Sequence, residues 1–311
     1  MLSEIAALAA ADGELRDPRE VLGRPPLIVI VPEQQTLSIE RQLLGRIGAL
    51  TRGATATCRA RVLSFTRLGN LLRASSGDDR PRLRETGHRL LVWQVCPPGP
   101  RREAQAAALA DMIAEANLYG TAARDSDEHA PEHASLEQRA RAIAALAIAE
   151  HGAAARQLLH ATGDKLWLLA EVLSKYRVRC AALGYTYRPA AAYIQPALRE
   201  RGALDAMLAQ LDLQRAQVWV DGFMGFTPVE EDALQALLTT CARVTATVPV
   251  SPSGFGTGAD AEWVLEDWYG AGRELLDVWM RISRRAGVPF ARSRQITFLA
   301  SPSVTTLRLR R

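Results

Sequence analysis

Three short segments of this 311-residue chain carry side chains able to contact a phosphate or a base. In Val31-Pro32-Glu33-Gln34-Gln35-Thr36, the Gln34 amide and the Thr36 hydroxyl can bond phosphate oxygens or base edges. In Ser64-Phe65-Thr66-Arg67-Leu68, a ring able to stack on a base stands two residues before a guanidinium able to fork to phosphate or guanine. In Val218-Trp219-Val220-Asp221-Gly222-Phe223-Met224-Gly225-Phe226-Thr227-Pro228-Val229-Glu230, an aspartate directly follows an apolar run. That is the place of the acid that holds Mg²⁺ in P-loop NTPases, but Gly222 stands where an active enzyme usually has the glutamate that positions water. Each segment alone also admits a plain reading: a helix start facing solvent, a core Phe beside a surface Arg, an aspartate in a strand-end turn.

The elements that must hold these residues are legible as apolar runs. Leu27–Val31, Arg61–Phe65, Gln217–Val220 and Val244–Val250 are β-branched and do not alternate, as strands covered on both faces do, so a parallel sheet is expected. Helical spacing follows the first three. Leu37, Leu44 and Ile47 recur after Pro32, TRLGNLLRA and then ETGHRLLVWQVC follow Phe65, and VEEDALQALL follows Pro228 with Thr227 as its N-cap. Strand, loop and helix in repetition give a doubly wound α/β domain. From Pro97 to Leu213 the chain is rich in alanine, leucine and arginine, and an acidic stretch from Asp125 to Glu132 divides it; a helical insertion is expected there. SPSGFGTGAD reads as a linker, with an amphipathic helix from about Ala261 to Ala286 beyond it.

Bulk properties narrow the class. Hydrophobic content of 48% with 23% charged residues describes a folded chain. No apolar run approaches the roughly 20 residues that cross a bilayer, and the N-terminus lacks a basic signal region, so no membrane association and a cytoplasmic location are expected. The net charge of +4 permits nucleic-acid binding without demanding it, and all but Lys165 and Lys175 of the basic residues are arginines. Cys58, Cys96, Cys180 and Cys241 lie far apart, without a metal-binding spacing. His129 and His133 are four apart but flank Pro131 in the acidic stretch, so no metal is expected. Neither lysine sits in a G-x-x-x-x-G-K-[ST] loop.

In order and spacing, PEQ-x-T, SFTRL and VDGF-x-GFTP-x-E together resemble the B component of AddAB-type helicase–nucleases, from Met1 to about Pro289. The closing SPSVTTLRLRR carries none of that pattern. The resemblance implies a RecA-like, superfamily 1 helicase-type (P-loop NTPase-like) parallel sheet with a large inserted all-helical subdomain. The expected division is 1–96 with 214–260 for the RecA-like domain, 97–213 for the insertion, and 261–311 for a helix and the start of a further domain. It implies a non-motor module in double-strand-break repair by recombination, which holds single-stranded DNA and scans it for a hotspot sequence beside an AddA-type partner. The DNA-binding residues carried over by match are Gln34, Thr36, Phe65, Arg67 and Phe223, with Asp221 as a degenerate Walker B acid and no catalytic residue. Asn70 stands where some relatives place an aromatic.

In the full-length family, ATP and magnesium bind at an N-terminal loop, and an iron–sulfur cluster sits in a C-terminal nuclease domain. This chain is expected to hold neither group, and to be a fragment or a mis-started frame lacking the P-loop strand, with a bare sheet edge in consequence. Two alternatives stand beside this reading: an inactive structural fragment, or an NTPase whose phosphate loop lies upstream of Met1.

Overall fold

The computed structural model describes residues 1–11, 23–51, 57, 59–75, 80–118, 168–169, 171–199, 211–249, 270–288, 290–291, 296–299 and 301–310. Cys58, His129, His133, Lys165, the acidic stretch and the SPSGFGTGAD linker lie outside them. Two compact units emerge: Met1–Asp78 with Ala190–Arg311, and Asp79–Pro189.

The first unit begins with α1 (Leu2–Ala10), β1 (Leu27–Ile30), a 3-10 turn at Glu33–Gln35, α2 (Thr36–Leu50), β2 (Ala60–Leu63) and α3 (Phe65–Ser75). The second unit holds α4 (Glu85–Val95), α5 (Arg102–Leu118) and a helix α6 over 171–182. The chain then returns through a 3-10 turn at Ala190–Tyr193 to α7 (Ile194–Arg199), β3 (Gln217–Val220), α8 (Pro228–Thr240), β4 (Arg243–Pro249) and α9 (Gly270–Ala286). It closes with β5 (Phe290–Ala291), β6 (Ile296–Leu299) and β7 (Ser301–Arg310).

The four apolar runs are the parallel part of the sheet, in the order β2-β1-β3-β4. Alternation along each strand sends neighbours to opposite faces. Ile28, Ile30, Val218, Val220, Val244 and Ala246 join one core, shared with α3, α7, α8 and α9. Leu27, Val29, Val31 and Trp219 join another, beneath α1 and α2. Helices on both faces are what make these strands continuously apolar rather than alternating. β2 is the exception that fits its place at the rim, with Arg61 exposed and only Val62 and Leu63 buried.

The start of α8 follows from its sequence. The Thr227 hydroxyl accepts from the Glu230 amide at 3.4 Å, Glu230 returns a carboxylate to the Thr227 amide at 2.9 Å, and Pro228 occupies the first turn. α3 seats closely because Gly69 has no side chain: a Cβ there would lie 2.0 Å from the Ala190 carbonyl oxygen.

Two details depart from the sequence reading. The units divide near 79 and 189 rather than at 97 and 213, because α4 packs on α5, and Ala190–Arg199 packs on α3 and α8. The SPSVTTLRLRR segment, expected to open a further domain, supplies β7, which runs antiparallel along the outer edge of β4 from Arg243↔Arg310 to Pro249↔Val304. The edge of β4 is therefore paired rather than bare, and the sheet is mixed, with β5 and β6 also antiparallel to β7.

The second unit is built on an apolar core that includes Leu91, Val92, Leu109, Ile113, Val172 and Tyr176. One polar chain threads it. His88 Nε2 donates to the Ala110 carbonyl (2.9 Å), and Nδ1 is hydrogen-bonded to the Tyr176 hydroxyl (2.8 Å). That hydroxyl also meets the Cys180 thiol. Burial pushes the ionisation of Tyr176 far above the ordinary phenol range, reinforced by Cys180, and burial likewise raises the Cys180 and Cys96 thiols. Trp93 is 39% exposed, with the Arg102 guanidinium 4.2 Å above its ring.

Candidate nucleic-acid interface

Parallel pairing in register brings the C-terminal ends of β1, β2 and β3 level. Ile30 lies opposite Leu63 on one side and Val220 on the other. The next residues continue the ladder, with Val31 N–H donating to Leu63 O (3.0 Å) and Asp221 N–H to Ile30 O (2.9 Å). The three motif segments therefore leave the sheet side by side. They enclose an open cleft of about 210 Å³ whose walls include Glu33, Gln34, Ser64, Phe65, Phe223 and Glu230.

The expected site residues separate by exposure. Gln34 is exposed on the 3-10 turn, and Arg67 is exposed in the first turn of α3. Phe223 is partly buried in the loop after β3, at 5.4 Å from the Phe65 ring and 5.0 Å from that of Phe226. Phe65 and Thr36 face inward. Phe65 is 3% exposed and also touches Phe226 (6.2 Å), while Phe226 stands edge-on to buried Trp279 at 5.6 Å. Thr36 is 2% exposed, its hydroxyl donating to the Glu33 carbonyl at 2.9 Å. The first residue of a helix can face either way, and here helix phase sends both toward the core.

Sequence reasoning passed over Glu33, whose carboxylate is the hub of the cleft. Oε1 accepts from Arg67 Nε at 3.0 Å, and Oε2 accepts from the Ser64 hydroxyl. Ser64 Oγ in turn accepts the Arg67 backbone N–H at 3.1 Å. It also passed over Gln35, whose side-chain oxygen would lie 2.5 Å from a Cβ on Gly222. Both depend on contacts between segments about 30 or more residues apart in sequence, which no local pattern announces.

Asp221 offers little to a nucleotide. Its Oδ1 accepts from the Thr247 hydroxyl on β4, and Gly222 beside it turns with φ of 78°. With a bonded carboxylate, a left-handed glycine and no phosphate loop, the described residues do not fit a magnesium–nucleotide complex. Nor do they offer an iron–sulfur ligand set. Cys96, Cys180 and Cys241 are buried and in no disulfide, and no cluster of three or more metal-ligating side chains occurs among the described residues. Among those residues, no helix is long and apolar enough to cross a membrane.

The family described as ADDB, N-terminal matches residues 18–97 and 192–293, a span that includes all four parallel strands and the three motif loops. The chain belongs to this AddB N-terminal family. Among its relatives, the B component of the ATP-dependent helicase/deoxyribonuclease of Pelotomaculum thermopropionicum is 31% identical over 246 residues, covering 78% of this chain and 19% of the relative. Its namesakes in Desulforudis audaxviator and Moorella thermoacetica are each 31% identical, over 75% and 74% of the chain and 18% of their own lengths. The chain thus spans about a fifth of the AddB-type relatives it matches.

Proposed function

We propose that this chain is a DNA-binding, non-motor helicase-like module. In this reading a RecA-like α/β unit holds a single DNA strand across the ends of β1, β2 and β3 and scans it for a hotspot sequence. The module would serve a cytoplasmic helicase–nuclease in double-strand-break repair by homologous recombination, with an AddA-type protein as its partner. The relatives are named as one component of an ATP-dependent helicase/deoxyribonuclease, which supports the setting. The parallel order β2-β1-β3-β4 supports the RecA-like reading.

The observation that carries the proposal is the convergence of three separate loops on one cleft at the carboxyl ends of parallel strands, the usual ligand position in open α/β sheets. Phe223 offers a ring for stacking, Arg67 a guanidinium for phosphate, and Gln34 an amide for base edges. Phe65 backs the Phe223 ring, and Thr36 fixes the turn that presents Gln34.

Fluorescence anisotropy with a labelled single-stranded oligonucleotide tests this. Phe223→Ala is expected to weaken binding by about 1–3 kcal/mol, the scale of a base–aromatic stack. Arg67→Ala should lower the slope of log K against log salt by roughly 0.7, one phosphate contact on a single strand. Wild-type affinity and slope in both variants would refute the interface. The chain is also expected to release no phosphate from ATP, with or without DNA. DNA-stimulated turnover abolished by Asp221→Ala would show instead that it is an NTPase.

A further inference from the structure

A carboxylate in the wall of a polyanion-binding cleft needs a reason, because it repels the ligand and weakens the nearest cation. Glu33 has this position: it pairs with Arg67 while both side chains remain 47% exposed. An exposed pair of this kind is normally loose. Here one end is anchored, since Oε2 takes the hydroxyl of Ser64, which is only 2% exposed and itself receives the Arg67 amide. The Glu33 carbonyl is also tied, by the Thr36 hydroxyl. The carboxylate is thus fixed before any ligand arrives. It engages the guanidinium through Nε, and the two terminal amino groups make no hydrogen bond among the described residues.

On the interface reading above, we propose that Glu33 is a positioning residue: with Ser64 it holds Arg67 by Nε so that the guanidinium presents its terminal fork to a DNA phosphate. The fixed pose lowers the ordering cost of a long, rotamer-rich side chain on binding. It also ties the loop after β1 to the start of α3, so that Gln34 and Arg67 keep their spacing.

The sign of one substitution separates positioning from mere charge. Were Glu33 only a counter-charge, Glu33→Gln would bind single-stranded DNA more tightly with a steeper salt slope, and Glu33→Asp would match the wild type. A positioning role requires the reverse. Titrating the whole chain with a labelled oligonucleotide over a salt series, Glu33→Gln, Glu33→Asp and Ser64→Ala should each weaken binding roughly two- to fivefold, the range of such a pair. The slope should fall toward that of Arg67→Ala, and adding Glu33→Gln to Arg67→Ala should change nothing further. Urea midpoints matched to the wild type keep unfolding out of the comparison. Tighter or unchanged binding by Glu33→Gln and Glu33→Asp, while Arg67→Ala still weakens it, overturns the role of Glu33 alone. If Arg67→Ala binds as the wild type does, the phosphate contact falls, and the positioning role with it.

Discussion

The two units handle polar side chains in opposite ways. In the helical unit, buried Tyr176 bonds both Cys180 and half-buried His88, and His88 reaches the Ala110 carbonyl, all against an apolar core. In the α/β unit, the polar groups gather at the open ends of three strands. There Glu33 and Ser64 are bonded together, while Gln34 and the fork of Arg67 stay exposed. A buried network whose members satisfy each other fixes a fold, whereas exposed donors beside a ring are available to a ligand. Chemistry alone would have ranked the histidine, tyrosine and cysteine above the glutamine. Placement reverses that order.

The comparison breaks if stability and binding do not separate between the units. The largest expected effect is on the frame of the α/β unit. Gly69→Ala drives a methyl into the Ala190 backbone and should cost roughly 3 kcal/mol in urea unfolding, as overpacking against an unyielding neighbour does. DNA binding should fail with it once the sheet loosens. Tyr176→Phe comes next, at about 2 kcal/mol, because it strips the partner from His88 Nδ1. Its oligonucleotide affinity, measured without denaturant, should not move. A loss of affinity matching that of Phe223→Ala would mean the helical unit shares the ligand.

Alkali sharpens the same contrast. Burial holds the Tyr176 hydroxyl and the Cys180 thiol protonated in the folded chain, whereas the unfolded chain releases both protons at ordinary values. The stability they lend is complete at neutral pH and is lost as pH rises through the ordinary thiol and then phenol ranges. Melting followed over that range should show the decline, and Tyr176→Phe should shrink it.

Gly222→Ala is expected to cost about 1–2 kcal/mol for a side chain in the left-handed region, and to push Gln35 aside. Unlike Tyr176→Phe, it should weaken DNA binding, because the loop that carries Phe223 begins there. The smallest effect belongs to Thr227→Ala, about 1 kcal/mol from the lost cap of α8, visible in thermal melting and nearly silent in binding.

Much of the α/β frame was legible because its signals are local. Apolar runs such as LIVI and QVWV mark strands covered on both faces, and Thr227-Pro228 with Glu230 writes a helix start in nearly consecutive letters. The candidate site was legible as segments but not as orientations. Phe65 and Thr36 have the same chemistry whether they face in or out, and only the packing of α2 and α3 decides. Glu33, Gln35 and Gly69 escaped because their partners stand roughly 30 to 190 residues away. The β7 pairing escaped for the same reason. Its register lies on β4, across a stretch that shows nothing of the match.

Gly222 carries a further consequence, for descent. A glycine codon can become a glutamate codon by a single base change, so an acidic residue after Asp221 lies within mutational reach. The φ of 78° strains any side chain placed there, and the end of the Gln35 side chain, 2.5 Å from where a Cβ would stand, would have to move aside. A glutamate there would carry the strain of the turn and displace Gln35, and both would be felt in the loop that carries Phe223. The turn therefore acts as a brake on that substitution, set by backbone geometry rather than by the genetic code.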